Sequence, residues 1–229
     1  MKRLVEPEWL DSLPPADPRA VRSRQDLRRV NGCMRHAAIM AGVLQRTLPD
    51  GTLEKITELG AGDGNFLLSV AQKIAIYRRP AIATLLDRQN DVSVETLAAF
   101  TKLGWRTDVV ITDVFDWPRT AGLGGAVIAN LFLHHFEDAR LAELLQLISQ
   151  RTELFIALEP RRAAWPLLCS RLLWAIGCND VTRHDAVVSV RAGFAGAELS
   201  ALWPDPANWR LTEHGAGAFS HLFIAQKIR

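Results

Sequence analysis

Apolar positions are sparse at the start of the chain. Residues 1–20 carry Pro7, Pro14, Pro15 and Pro18 and read as an irregular lead-in. From about 22 to 46, Leu27, Val30, Met34, Ala37, Ala41 and Leu44 recur at spacings of three and four, which predicts one amphipathic helix. Pro49-Asp50-Gly51 supplies the turn that ends it. The pattern then alternates. Short apolar runs at 55–59, 81–87, 108–111, 125–130 and 154–158 predict strands, and helical periods at 65–77, 92–103 and 138–149 lie between them. This alternation predicts an α/β fold: a mostly parallel sheet covered by helices on both faces. The last third differs. Residues 165–178 are almost solidly apolar, with Pro166 suited to a first helical turn, so the segment must be buried as core, pocket wall or dimer contact. It is too short to span a bilayer, and Arg171 interrupts it. Helical turns are expected near 184–192 and 195–202. The tail from Trp209 to Lys227 reads as two strands about Gly215-Ala216-Gly217, bringing the sheet to seven. No repeat or linker divides the chain, so a single domain is expected.

Composition narrows the class. The 229 residues are 48% hydrophobic and 23% charged, which excludes a disordered chain. No apolar run is long enough to cross a membrane, so stable membrane insertion is not expected. The first residues, Met1-Lys2-Arg3-Leu4-Val5-Glu6-Pro7, lack the apolar core of a signal peptide. Cys33, Cys169 and Cys178 form no CxxC pair, which argues against a disulfide framework and for a cytoplasmic location. A net charge of +2 gives no case for nucleic acid as partner. The local exception is Arg22, Arg24, Arg28, Arg29 and Arg35 against Asp26, which is either a solvated helix face or an anion-binding one.

Glu58-Leu59-Gly60-Ala61-Gly62-Asp63-Gly64-Asn65-Phe66 follows a predicted strand and opens a predicted helix. Glycines let the backbone approach a ligand, and a helix N-terminus offers free N–H donors. The spacing is GxGxG, not the GxGxxG of dinucleotide binders, and Asn65 stands where that pattern places its third glycine. A short-chain reductase also needs a Tyr with a Lys four residues on. The single tyrosine, Tyr77, expected on the helix after the loop, is followed at that spacing by Ala81.

The segment resembles motif I of the class I S-adenosylmethionine-dependent methyltransferases. The likeness continues in order through Asp87, Asp113 in Thr112-Asp113-Val114-Phe115, and Asn130 in Ala129-Asn130-Leu131-Phe132-Leu133-His134-His135-Phe136, covering about residues 55–160. It implies a Rossmann-like fold with an antiparallel C-terminal strand and an N-terminal helical lid. Residues 1–50 would form the lid, 51–160 the cofactor-binding core, and 161–229 the substrate-side helices and last strands. It implies S-adenosylmethionine as cofactor, with Glu58, Gly60, Ala61, Gly62, Gly64 and Asn65 around its methionine end. Asp87 and Arg88 would lie at the ribose, Asp113 and Val114 at the adenine, and Asn130 and Leu131 facing the methyl group. Alternatives remain for three of these. Asp87 could be a turn residue, Asp116 rivals Asp113, and Asn130 could serve as a cap.

His134 and His135 are the candidate bases, with loop packing as the alternative. No metal is expected, because no third ligand is visible beside them. Glu159, before Pro160, Arg161 and Arg162, would orient substrate or pair with an arginine. Arg191 would pair with an anion or a structural carboxylate. The segments 188–194, 23–31 and 130–136 are similar to bacterial methyltransferases found beside type III polyketide synthases. This implies a small acceptor, aromatic, phenolic or lipid-like, and O-methylation, with C-methylation or a non-catalytic cofactor-binding regulator as alternatives. A monomer or homodimer is expected.

Overall fold

The computed structural model describes residues 1–14, 16–48, 54–74, 81–117 and 125–228. Strands β1 (Lys55–Leu59), β2 (Ile82–Asp87), β3 (Arg106–Ile111), β4 (Ala126–Asn130) and β5 (Leu154–Pro160) are parallel. Strands β6 (Trp209–Ala216) and β7 (Ser220–Lys227) complete a seven-stranded sheet of order β3-β2-β1-β4-β5-β7-β6, with β7 antiparallel to both neighbours. The order reverses on either side of β1, which opens a crevice beyond the carboxyl ends of β1 and β4.

Both faces are covered, which is why the inner strands are largely apolar; every residue of β5 is buried. On one face, α3 (His36–Thr47), α4 (Asn65–Ile74) and α5 (Val94–Lys102) bring Met40, Leu44, Leu67, Ile74 and Phe100 onto Ile56, Leu85 and Ile128. On the other, α6 (Asp138–Ser149) and α9 (Glu198–Leu202) bring Leu141, Leu145 and Leu199 onto Val127, Phe155 and Phe223. Trp105 joins the first cluster, and Trp117, Trp203 and Trp209 the second.

Three sequence expectations change. The single helix over 22–46 is two: α2 (Pro18–Met34), begun by the Asp17 cap and Pro18, and α3, separated at Arg35 with φ 55°. The break lets α2 follow α8 (Asp180–Ala192), where Asp26 accepts the Asn179 N–H at 2.8 Å, while α3 turns onto the sheet. The apolar segment 165–178 is buried only in part, at Pro166, Ser170 and Cys178. It forms α7 (Ala164–Arg171) and a 3-10 turn (Leu173–Ile176) that lie over α8, leaving Trp165, Leu168, Leu172, Trp174 and Ile176 exposed. The final hairpin turns at 217–219, because Ala216 pairs with Ser220. Tyr77 lies outside the described residues. Among those described, no helix is long and apolar enough to cross a membrane.

Candidate active site

A cleft of about 630 Å³ occupies the crevice. Its floor is the glycine loop. Gly60 and Ala61 donate their N–H groups to Leu86 O at 2.9 and 3.1 Å, tying the loop to β2. Gly60 has φ 67°, and a Cβ there would fall 2.3 Å from Phe132 Cδ2, so only glycine lets Phe132 close over the loop. Asp87 accepts the Gly62 N–H at 2.8 Å through one oxygen and the Gln89 N–H at 2.9 Å through the other. The carboxylate is thereby fixed at the cleft edge before any ligand arrives.

Asp63 accepts the Asn65 N–H at 3.1 Å and the Asn65 side-chain amide at 2.7 Å. The start of α4, where a dinucleotide pyrophosphate would sit, thus carries the chain's own carboxylate. Asp113 lines the cleft and accepts the Phe115 N–H at 2.9 Å, which starts a 3-10 turn; its rival Asp116 is exposed and does not line the cleft.

Glu58 lies beneath the loop, 2% exposed, and its Oε2 has no hydrogen-bond partner. Burial pushes its carboxyl well above the ordinary carboxylate value; the Leu67 backbone hydrogen bond opposes this and Asp63 and Asp87 reinforce it. The unfolded chain loses this proton above about pH 4.5, whereas the fold retains it to higher pH. Stability is therefore lost as pH rises between those two values. Glu58→Gln is expected to melt higher than the native chain at about pH 8, with the difference shrinking towards about pH 4. Thermal melts at both values test this, and a pH-independent difference would exclude a protonated Glu58.

The β4 end builds the opposite wall. Leu131 has φ 53°, a conformation that costs a branched side chain about 1–2 kcal/mol. It is held by its own N–H on Leu158 O at 2.8 Å and by Glu159, which accepts the N–H groups of Phe132 at 3.1 Å and Leu133 at 2.8 Å. Glu159 is fully buried and also accepts from His134 Nδ1 at 2.8 Å. It therefore neither faces substrate nor pairs with an arginine; Arg162 pairs instead with Glu198. His134 Nε2 points to Glu8 Oε1 at 3.5 Å. Burial works against charge on His134, but the Glu159 and Glu8 carboxylates outweigh it and raise the pKa to about 9, so the ring is an imidazolium near neutral pH.

His135 lies against that ring at a tilt of 32°, with centroids 4.3 Å apart, and lines the cleft with its Nδ1 3.9 Å from Asp11 Oδ2. Burial and the His134 charge hold its pKa below the ordinary imidazole value, although Glu8, Asp11 and Glu159 oppose them. It is the neutral member of the pair.

Residues 5–11 close the cleft as a strap, contributing Val5, Glu6, Pro7, Glu8 and Asp11 to its wall. The strap is latched at several points. Arg3 reaches Asp138 at 2.7 Å and the Phe136 carbonyl at 2.8 Å, and Asp185 accepts the N–H groups of Trp9 and Leu10 at 2.8 and 3.0 Å. Arg191 pairs with Glu6 at 3.8 Å, the structural carboxylate among its two expected roles.

Of the expected site residues, Gly60, Gly62, Asp87, Arg88, Asp113, Val114, Leu131 and His135 line the cleft. Glu58, Ala61, Gly64, Asn65 and His134 lie behind or beside the wall. Asn130 turns away to His36 Nδ1 at 2.6 Å, whose Nε2 meets Ser220 Oγ at 2.5 Å, so it braces β4 against α3 and β7. The cleft also uses Glu8, Asp11, Thr112, Phe132, Phe136 and Glu137, which the sequence reading did not select. Glu8 also supplies the third group that the histidine pair lacked: Glu8, His134 and His135 offer ligand atoms within 4.8 Å of one another. A proton on His134 already satisfies the Glu8 and Glu159 charges there, and a metal ion would have to displace it.

Neither a family model nor a curated protein matches the sequence. The fold is the Rossmann-like arrangement seen in solved methyltransferases. The plantazolicin methyltransferase BpumL, with a triazolic desmethylPZN analog and SAH, aligns at TM-score 0.68 and 13% identity over 93% of each chain. An O-methyltransferase family protein from Burkholderia thailandensis aligns at 0.58 and 18% identity, over 93% of this chain and 60% of that one. The magnesium protoporphyrin IX methyltransferase of Synechocystis PCC 6803, with bound SAH, aligns at 0.55 and 11% identity, over 86% and 84%.

Proposed function

We propose that the chain is an S-adenosylmethionine-dependent methyltransferase that O-methylates a small phenolic, lipid-like acceptor. One observation carries the cofactor: among the described residues Asp11, Asp87, Asp91, Asp113 and Glu137 line the cleft with Arg88 as its one arginine, beside Glu6 and Glu8, which pair with Arg191 and His134. Such a wall attracts a cationic sulfonium with an ammonium and repels a pyrophosphate. The likeness in fold to methyltransferases holding SAH agrees with this reading.

The fixed Asp87 carboxylate suits two ribose hydroxyls, and Asp113 keeps one oxygen beyond its Phe115 contact for an exocyclic amine. Phe132 and Phe136 present an aromatic wall, edge to face at 5.2 Å, beside His135. S-adenosylmethionine supplies an activated methyl: its C–S bond breaks as the bond to the phenolic oxygen forms, and S-adenosylhomocysteine leaves. The chain aligns oxygen and methyl, worth up to about 7–11 kcal/mol, and His135 takes the phenolic proton.

Isothermal titration tests the cofactor: binding of S-adenosylmethionine and none of NADH is expected, and the reverse would overturn the reading. Asp87→Ala should weaken that binding by about 1.5–3 kcal/mol, roughly tenfold to a hundredfold, without unfolding the chain. An unchanged Kd would remove Asp87 from the site. A labelled-methyl screen over phenols and quinols tests the acceptor. Label on ring carbon would replace O- with C-methylation, and binding without transfer to any acceptor would favour a regulator.

A further inference from the structure

Two sequence features are unused by the reaction: the arginine-rich helix α2 and the apolar segment 165–178. The fold sets them side by side. Arg22 of α2 donates to Gly177 O at 3.4 Å, Asn179 donates to Asp26 of α2 at 2.8 Å, and Asn179 Nδ2 reaches Arg19 O at 2.8 Å. The apolar half is unusual. Among the described residues thirteen large hydrophobic side chains are exposed, and five of them, Trp165, Leu168, Leu172, Trp174 and Ile176, fall within this one segment. Scattered exposure is ordinary; a contiguous patch with two tryptophans marks a surface for association. Among these five, exposure is largest at Trp174, 60%, and Ile176, 59%, at the tip ended by Gly177 with φ 77°.

The surroundings choose the occupant. Over 17–35 and 164–183 eight arginines stand against three aspartates, with no lysine or glutamate, although Arg28 turns away to Asp63 at 3.4 Å. Asp26 is buried beneath its Arg22 and Arg29 pairs at 3.3 and 2.5 Å. Arg171 sits within the apolar segment and is itself exposed. Tryptophans and short aliphatic side chains beside a cationic belt match the boundary of an anionic bilayer, where indole rings settle at headgroup depth and arginines meet phosphates. A second copy of this chain would bring like charges together. With α7 of eight residues and a four-residue 3-10 turn, the element can lie in an interface but not cross one.

We propose that α7, the following turn and the side of α2 that carries Arg22 and Arg29 form a docking surface for anionic lipid bilayers. This stands apart from the reaction, since the test uses neither cofactor nor acceptor. The full chain is sedimented with vesicles of equal parts phosphatidylcholine and phosphatidylglycerol, and with phosphatidylcholine alone. Binding is expected to the anionic vesicles, with a blue shift in tryptophan emission and weakening in high salt. Trp165→Ser with Trp174→Ser should lower the partition constant about tenfold or more, and Arg171→Glu should lower it alone. All three positions are exposed, so circular dichroism should be unchanged. Absence of binding to the anionic vesicles, or binding unaffected by either variant, would overturn the proposal. So would a concentration-dependent dimer in light scattering that the tryptophan substitutions abolish, which would assign the patch to a contact between copies.

Discussion

His135→Gln is expected to lower kcat for a phenolic acceptor by about 10²–10⁴-fold while leaving cofactor affinity close to native. The expectation rests on position before charge. His135 faces the cleft beside Phe132 and Phe136, whereas His134 is buried between two carboxylates. The groups around His135 then set its proton. Burial and the His134 imidazolium hold it neutral, against the pull of Glu8, Asp11 and Glu159. In the native enzyme the rate should fall on the acid side with a midpoint below the ordinary imidazole value of about 6.5. His134→Gln removes the adjacent positive charge, so that midpoint should move up. Glutamine at 135 should abolish the acid limb. Rate profiles with pH read all three. A His135→Gln variant with native kcat would leave alignment as the whole of catalysis, and a fall confined to KM would make His135 a binding group.

The second large effect is on stability. Glu159→Ala should cost about 3–5 kcal/mol, because it strips a buried imidazolium of its closest partner and frees the Phe132 and Leu133 amides. The sign of the pH dependence follows from both members of the pair. His134 is raised from 6.5 to about 9, so its contribution is complete below 6.5 and is lost as pH rises towards 9. Glu159 is lowered despite burial, chiefly by its His134 hydrogen bond, so its contribution is present above 4.5 and is lost as pH falls through its lower folded value. Melting temperature should therefore decline between about pH 6.5 and 9, and that decline should flatten in Glu159→Gln. An equal decline in both chains would mean that another group sets it.

The α/β architecture was legible because parallel strands buried on both faces leave apolar runs between helical periods. Asp87 and the glycine loop were legible because a ligand approach needs particular residues at fixed spacing. The strap was not. Glu8 and Asp11 sit among prolines with no periodicity, and only the long-range contacts of Arg3 and Asp185 give them a place. The role of Asn130 was hidden for the same reason, since His36 lies 94 positions away in sequence. The split of the 22–46 helix was not readable, since Arg35 carries no sign of its left-handed backbone; only the start of α2 has a local signal, the Asp17 cap before Pro18. The segment 165–178 shows the limit of hydrophobic pattern. Composition states what should leave water, not whether the same chain supplies the cover.

The strap gives turnover a second clock. The other cleft walls rise from β1, β2, β3 and β4, which cannot part without breaking the sheet. Residues 5–11 are held by ion pairs, capped amides and one imidazolium, and these can open while the core stays folded. Under the proposed reaction, a spent cofactor beneath it would leave only through that opening, and product escape would then follow the strength of the latch rather than the speed of methyl transfer.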